Sequence, residues 1–142
     1  MIILTKLSQG AKLPKYAHLT DSGADLFACE NVDIPPGAYY PVKTGVRICL
    51  PQGYEGQIRS KSGLAAKSGV HVLNSPGTID NGYRGELLVI LINHGRITFH
   101  VRKGDKIAQL VVAPYQRAIF DVSDTLPDSE RGDGKFGSTG RQ

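Results

Sequence analysis

The chain has 142 residues, 40% of them hydrophobic and 21% charged, which bounds it to one globular, soluble-type domain able to bury a real core. No apolar run approaches the roughly 20 residues of a membrane helix, and the N-terminus lacks a charged region leading into an apolar stretch and cleavage site, so the expected location is cytoplasmic. A formal net charge of +4, from 17 basic and 13 acidic residues without a basic run interleaved with aromatics, argues against a nucleic-acid surface and suits a small polyanion equally well.

Seventeen glycines and eight prolines divide the sequence into brief runs. In chain order, strands are expected at residues 2–4, at 24–28 after the Asp21-Ser22-Gly23 turn, at 32–34 before Pro35-Pro36-Gly37, and at 39–42, 46–50 and 56–60. One helical stretch follows at 63–67, too short to stand alone. Further strands are expected at 70–73, 87–92, 97–101, 107–112 and 118–122. Many short strands with turn signals between them define an all-β domain of sandwich, jelly-roll or barrel-like type. Residues 127–142 differ in composition, being rich in glycine, charge and hydroxyls, with Phe136 as their only large apolar side chain. Such a segment orders only against something else. The expected organisation is therefore a domain over 1–126 and an arm over 127–142.

Cys29 and Cys49 lack CxxC spacing and are expected to be small buried hydrophobes. The four histidines, His18, His71, His94 and His100, show neither HxH nor HExxH spacing, which argues against bound zinc.

Residues 74–86 carry the strongest chemical signal. One carboxylate, Asp80, stands among turn residues with Tyr83 three positions later, between two apolar runs. Strands that end in a polar, glycine-rich corner fix side chains at a surface while leaving backbone open to a ligand. Alone, such an Asp is a turn-former. A second signal is the arm sequence from Arg131 to Gly140. Its glycines free N–H groups for an anion, Arg131 and Lys135 add charge, Ser138 and Thr139 add hydroxyls, and Phe136 offers a face to a flat ring. It lacks the GxxxxGK[ST] pattern of a P-loop, and composition alone equally describes a flexible terminus. A third cluster, Arg59-Ser60-Lys61-Ser62-Gly63-Leu64, leads into the helix as either an anion contact or a simple cap. Gly104-Asp105-Lys106-Ile107-Ala108-Gln109 and Asp21-Ser22-Gly23-Ala24-Asp25-Leu26 are weaker signals of the same kind.

Taken together and in this order, these segments resemble the homotrimeric deoxyuridine triphosphatase family. The matching motifs are residues 24–28, 60–65, 74–85, 104–110 and 131–140, spread over nearly the whole length. The resemblance implies a distorted jelly roll of the β-clip type, with one short helix and a flexible C-terminal arm. It implies hydrolysis of dUTP to dUMP and diphosphate, which limits uracil in DNA and supplies dUMP for thymidylate synthesis. Asp80 would activate water for attack on the α-phosphorus. Asn74, Gly77, Thr78 and Ile79 would shape the uracil hairpin, and Tyr83 would lie under the deoxyribose and exclude a 2′-hydroxyl. Lys61, Ser62, Gly63 and Gln109 would face the phosphates. Phe136 would stack on uracil, while Arg131, Gly137, Ser138 and Thr139 close over the substrate. The implied cofactor is Mg²⁺ on the triphosphate, with Asp25 contacting it through water. The implied assembly is a homotrimer with sites shared between subunits.

Two departures stand out. Lys61 occupies a position where most relatives have Arg, so a point charge replaces a bidentate fork; Arg59 could substitute only if the strand continues past it. Leu88 stands where some relatives have Lys and is excluded from the expected site. The alternatives are a regulatory or signalling protein that binds dUTP with hydrolysis secondary, and dCTP deaminase, which shares the fold but would need a Glu proton shuttle and a different second motif.

Overall fold

The computed structural model describes residues 1–136, which contain eleven strands and one helix. In chain order these are β1 (Leu4–Leu7), β2 (Ala24–Phe27), β3 (Val32–Ile34), β4 (Tyr39–Lys43), β5 (Val46–Cys49), β6 (Tyr54–Ser60), α1 (Ser62–Ser68), β7 (Val70–Val72), β8 (Gly77–Ile79), β9 (Leu88–Asn93), β10 (Phe99–Val101) and β11 (Lys106–Pro114). The pairings are antiparallel: β1 with β5, β3 with β10, β4-β9-β7, and the four-stranded sheet β2-β11-β6-β8. The all-β class and jelly-roll architecture are thus those expected.

Alternation drives these strands. In β5, Val46 and Ile48 turn inward while Arg47 and Cys49 turn outward; in β6, Gly56 and Ile58 turn inward. Leu26 from the β2-β11-β6-β8 sheet and Val42, Val89 and Leu91 from the β4-β9-β7 sheet share one core with Leu87, just before β9, all with no solvent exposure. Each such aliphatic side chain contributes about 1.5–3 kcal/mol on burial. The polar residues inside are satisfied. Asn93 donates to the Ile34 and Ile97 carbonyls at 2.8 and 2.9 Å and accepts from the Gly95 amide at 2.8 Å. The Thr44 hydroxyl donates to the Leu87 carbonyl at 2.6 Å. Both anchor loops at sheet ends, where an unmet buried partner would cost about 1–3 kcal/mol.

Several boundaries differ from expectation. The first strand lies at Leu4–Leu7, because its ladder is set by Leu4 opposite Cys49 and Leu7 opposite Val46. Ile97 and Thr98 fall outside β10, where Asn93 holds the loop by its carbonyl contact to Ile97. Residues 118–122 are not a strand; Ile119, Phe120 and Val122 are 96%, 95% and 97% exposed, so their apolar run finds no covering surface among the described residues. Gly77–Ile79 is a strand that its turn-like composition concealed, paired with β6. Cys29 and Cys49 are free thiols, and both are half-buried rather than core residues: Cys49 lies on the outward side of β5, and Cys29 lies past the end of β2.

Candidate active site

The corner after β8 is held by its own backbone. The Tyr83 amide donates to the Asp80 carbonyl at 3.0 Å, and Arg84 Nη1 donates to the Asn81 and Tyr83 carbonyls at 2.6 and 2.8 Å. The Tyr83 hydroxyl donates to the Glu86 carbonyl at 2.9 Å, folding the ring back over Gly85. A Cβ at Gly85 would lie 2.2 Å from that hydroxyl oxygen, so only glycine admits the ring there. Glu86 in turn accepts from the Gly45 amide at 2.7 Å and ties the corner to the turn between β4 and β5. The result is a cavity of about 230 Å³ lined by Thr78, Ile79, Asp80, Tyr83, Glu86 and Leu88. The Asp80 side chain is exposed at its wall, where a carboxylate can accept a hydrogen bond from water and receive its proton. The Asn74 amide packs against Gly77, where an added Cβ would stand 3.3 Å from Nδ2.

A second polar centre lies in the β2-β11-β6-β8 sheet. Asp25 is paired with Gln109 across β2 and β11, and Gln109 with Arg59 across β11 and β6. Asp25 is 3% exposed. Its Oδ1 accepts from Lys61 Nζ at 2.6 Å and its Oδ2 from Lys106 Nζ at 2.7 Å. The register of β11 against β2 shifts between Lys106 and Ala108, and this irregularity sets Lys106 opposite Phe27, on the same face as Asp25, from where it reaches the carboxylate diagonally. Burial pushes the Asp25 carboxyl upward, but the hydrogen bonds and charges of Lys106 and Lys61 outweigh it and leave the pKa below the ordinary Asp value.

Lys61 is the N-cap of α1, in extended backbone and without a side-chain cap bond, so Ser62 is not the cap. Ser60 instead accepts from the Val72 amide at 3.0 Å, joining the strand end to the run that precedes Asn74. Ser62 and Gly63 are exposed beside Lys61. Arg59 does not join Lys61: β6 ends at Ser60, and the Arg59 Nε donates to Gln57 Oε1 at 3.0 Å.

The fit to Mg²⁺ can be tested on these residues. Both Asp25 oxygens are taken by ammonium groups, and among the described residues no group of three or more His, Cys, Asp or Glu could hold a metal. Among the described residues the donor set therefore suits no directly held metal, while each Asp25 oxygen keeps a further lone pair that could accept from a metal-bound water. His71 Nε2 lies 3.0 Å from His94 Nδ1, and His100 pairs with Asp33 at 2.8 Å.

Thr78, Ile79, Asp80 and Tyr83 share one cavity; Asp25, Lys61 and Gln109 form the other centre. The two do not meet within the chain. Gly77 pairs with Ile58 and Ile79 with Gly56, so Asp80 continues level with Glu55, six residues from Lys61. At about 3.3 Å per residue that is roughly 20 Å. Arg131 Nε donates to the Gly134 carbonyl at 3.1 Å, and Phe136 is fully exposed. Gly137, Ser138 and Thr139 lie outside the described residues. Sequence reasoning gave no role to Glu86, left Lys106 unassigned within its motif and excluded Leu88. Leu88 carries no charge, yet alternation with the buried Val89 turns it outward beside Asp80.

The fold is a jelly roll with a carboxylate corner and a separate lysine-rich centre, and comparison with known proteins gives the family. Residues 9–140 match the dUTPase family. A deoxyuridine 5′-triphosphate nucleotidohydrolase of Gloeothece citriformis is 56% identical over 137 residues, spanning 96% of this chain and 94% of the relative. One from Clostridium tetani is 53% identical over 135 residues, spanning 95% and 93%. Among solved structures, a Staphylococcus bacteriophage 80alpha dUTPase with dUpNHpp superposes with a TM-score of 0.88 at 30% identity, covering 98% of both chains. A dUTPase from phage phi11 of S. aureus, described with a structural Mg(II) ion, gives 0.82 at 27% identity over 88% of this chain and 98% of its own. The chain belongs to the dUTPase family.

Proposed function

We propose that this protein hydrolyses dUTP to dUMP and diphosphate as a homotrimer, at sites assembled from different subunits. Family membership supports the substrate, and the separation of roughly 20 Å between Asp80 and Lys61 along β6 carries the assembly. One nucleotide cannot offer its α-phosphorus to the first and its phosphates to the second on a single chain. A closed ring brings the corner of one subunit to the lysine centre of the next. Ile119, Phe120, Val122 and Leu126, all at least 85% exposed, supply apolar surface for such packing.

In this reading Asp80 orients a water and takes its proton as the new O–Pα bond forms. The bond from Pα to the bridging oxygen breaks, and diphosphate departs with the electron pair. A carboxylate with reference pKa about 3.9 is a weak base, so positioning contributes more than basicity. Lys61, Ser62, Gly63 and Gln109 receive the phosphates. Asn74 and the backbone of Gly77, Thr78 and Ile79 read uracil, and Tyr83 closes the space that a 2′-hydroxyl would need. Residues 127–142 act as an arm, with Phe136 on the base and Arg131, Gly137, Ser138 and Thr139 over the phosphates, excluding water. Magnesium would be held chiefly on the substrate's phosphate oxygens and would supply charge neutralisation for the departing diphosphate, consistent with its habit of keeping waters. The free deoxynucleotide pool places the reaction in the cytoplasm; no helix among the described residues is long and apolar enough to cross a membrane.

The test is diphosphate release from dUTP, dCTP, dTTP and UTP. Turnover of dUTP should exceed each of the others by at least about 100-fold, because cytosine leaves a buried polar group unpaired, the 5-methyl of dTTP meets the closed hairpin and the 2′-hydroxyl of UTP meets the Tyr83 ring. Equal cleavage of all four, or none of dUTP, would contradict the reading.

A further inference from the structure

Asp25 is shared by two ammonium groups, one per carboxylate oxygen. A buried carboxylate with Lys61 alone would form a neutral pair, and an approaching phosphate would meet a dipole rather than a charge. The second lysine changes that balance, since one carboxylate and two ammoniums sum to +1. It also limits how Lys61 is held. With Oδ2 taken by Lys106, Lys61 makes a single hydrogen bond, to Oδ1, while its side chain stays 23% exposed. An ammonium has three donors, so two remain to be offered outward. Lys12 and Lys15 line the adjoining cavity with Asp25, Phe27 and Lys106. Lys12 is engaged elsewhere, over the Phe27 ring at 5.2 Å and toward the Gly104 carbonyl at 3.3 Å, and neither lysine bonds Asp25 through its side chain.

We propose that Lys106 is a positioning residue for the triphosphate: by holding one oxygen of Asp25 it leaves Lys61 aimed and still positively charged toward the phosphates. The inference rests on the dUTP reading above and assigns a role to a residue outside the expected set. It also explains how lysine serves at position 61. A flexible point charge lacks the rigid fork of arginine, and Asp25 supplies the missing fixation without cancelling the charge.

The experiment uses the full-length assembled protein and calorimetric binding of dUpNHpp and of dUMP, which lacks the distal phosphates. Lys106→Gln keeps an amide donor for Asp25 but removes the charge, and Lys106→Arg keeps the charge. K106Q should weaken dUpNHpp binding about tenfold, leave dUMP within about twofold, and K106R should restore the triphosphate affinity to within about threefold. If K106Q binds dUpNHpp as tightly as the unsubstituted protein, or loses dUMP equally, Lys106 has no such role. Failure of the unsubstituted protein to bind dUpNHpp at all would instead sink the dUTP reading, and this inference with it.

Discussion

Two aspartates in this chain do opposite things because their surroundings differ. Asp80 is exposed in a small cavity with Thr78, Tyr83 and Leu88, where it can accept from a water. Replacing it with Asn keeps the shape but removes the base. Asp80→Asn should lower turnover of dUTP at least about 100-fold while dUpNHpp binding changes little, as measured by steady-state rates beside calorimetry. Unchanged turnover would remove Asp80 from the chemistry. Asp25 is buried between two ammonium groups that hold its pKa below the usual Asp value. A carboxyl depressed in the folded state adds stability above its unfolded pKa and loses it as pH falls through the lower folded value. Asp25→Asn should therefore lower Tm fully at pH 7, with the gap to the unsubstituted protein closing below about pH 4. Melts across that range check it, and a gap that widens on acidification would contradict it.

At the scale of elements, the hairpin from Asn74 to Glu86 concentrates most of the proposed specificity. Its corner depends on Gly85, because the Tyr83 ring occupies the space of a Cβ there. Gly85→Ala should displace the ring and raise UTP turnover relative to dUTP about tenfold, since the sugar contact is a matter of shape. An unaltered ratio would mean that Tyr83 does not read the sugar. Much of this was legible in the sequence: the carboxylate corner between two apolar runs, the strands at 46–50 and 56–60, and the single short helix. Gly77–Ile79 was not, because its strand character comes from pairing with Ile58 and Gly56 across β6 rather than from its own composition. Residues 118–122 erred in the other direction. Their apolar character is real, but a strand needs a partner and a surface, and the described residues give them neither. The lysine pair on Asp25 was hidden for a related reason. Lys61 and Lys106 lie 45 positions apart, and only the register of β2, β11 and β6 brings them to one carboxylate.

The whole molecule is explained by a distance along one strand. Asp80 and Lys61 stand at opposite ends of β6, and the apolar residues beyond β11 face solvent. Both observations are what a shared site in a ring would leave on a single subunit. The proposition can be tested by complementation. Asp80→Asn and a deletion of residues 127–142 are each expected to be inactive alone, the first without its base and the second without its arm. Mixed at equal ratio, dissociated and reassembled, they should recover about a quarter of the unsubstituted dUTP turnover per site, the chance that a random ring draws an intact corner from one subunit and an intact arm from another. A mixture that reassembles to the same molar mass yet stays inactive would mean that each chain carries its site whole, and would contradict a site shared between subunits.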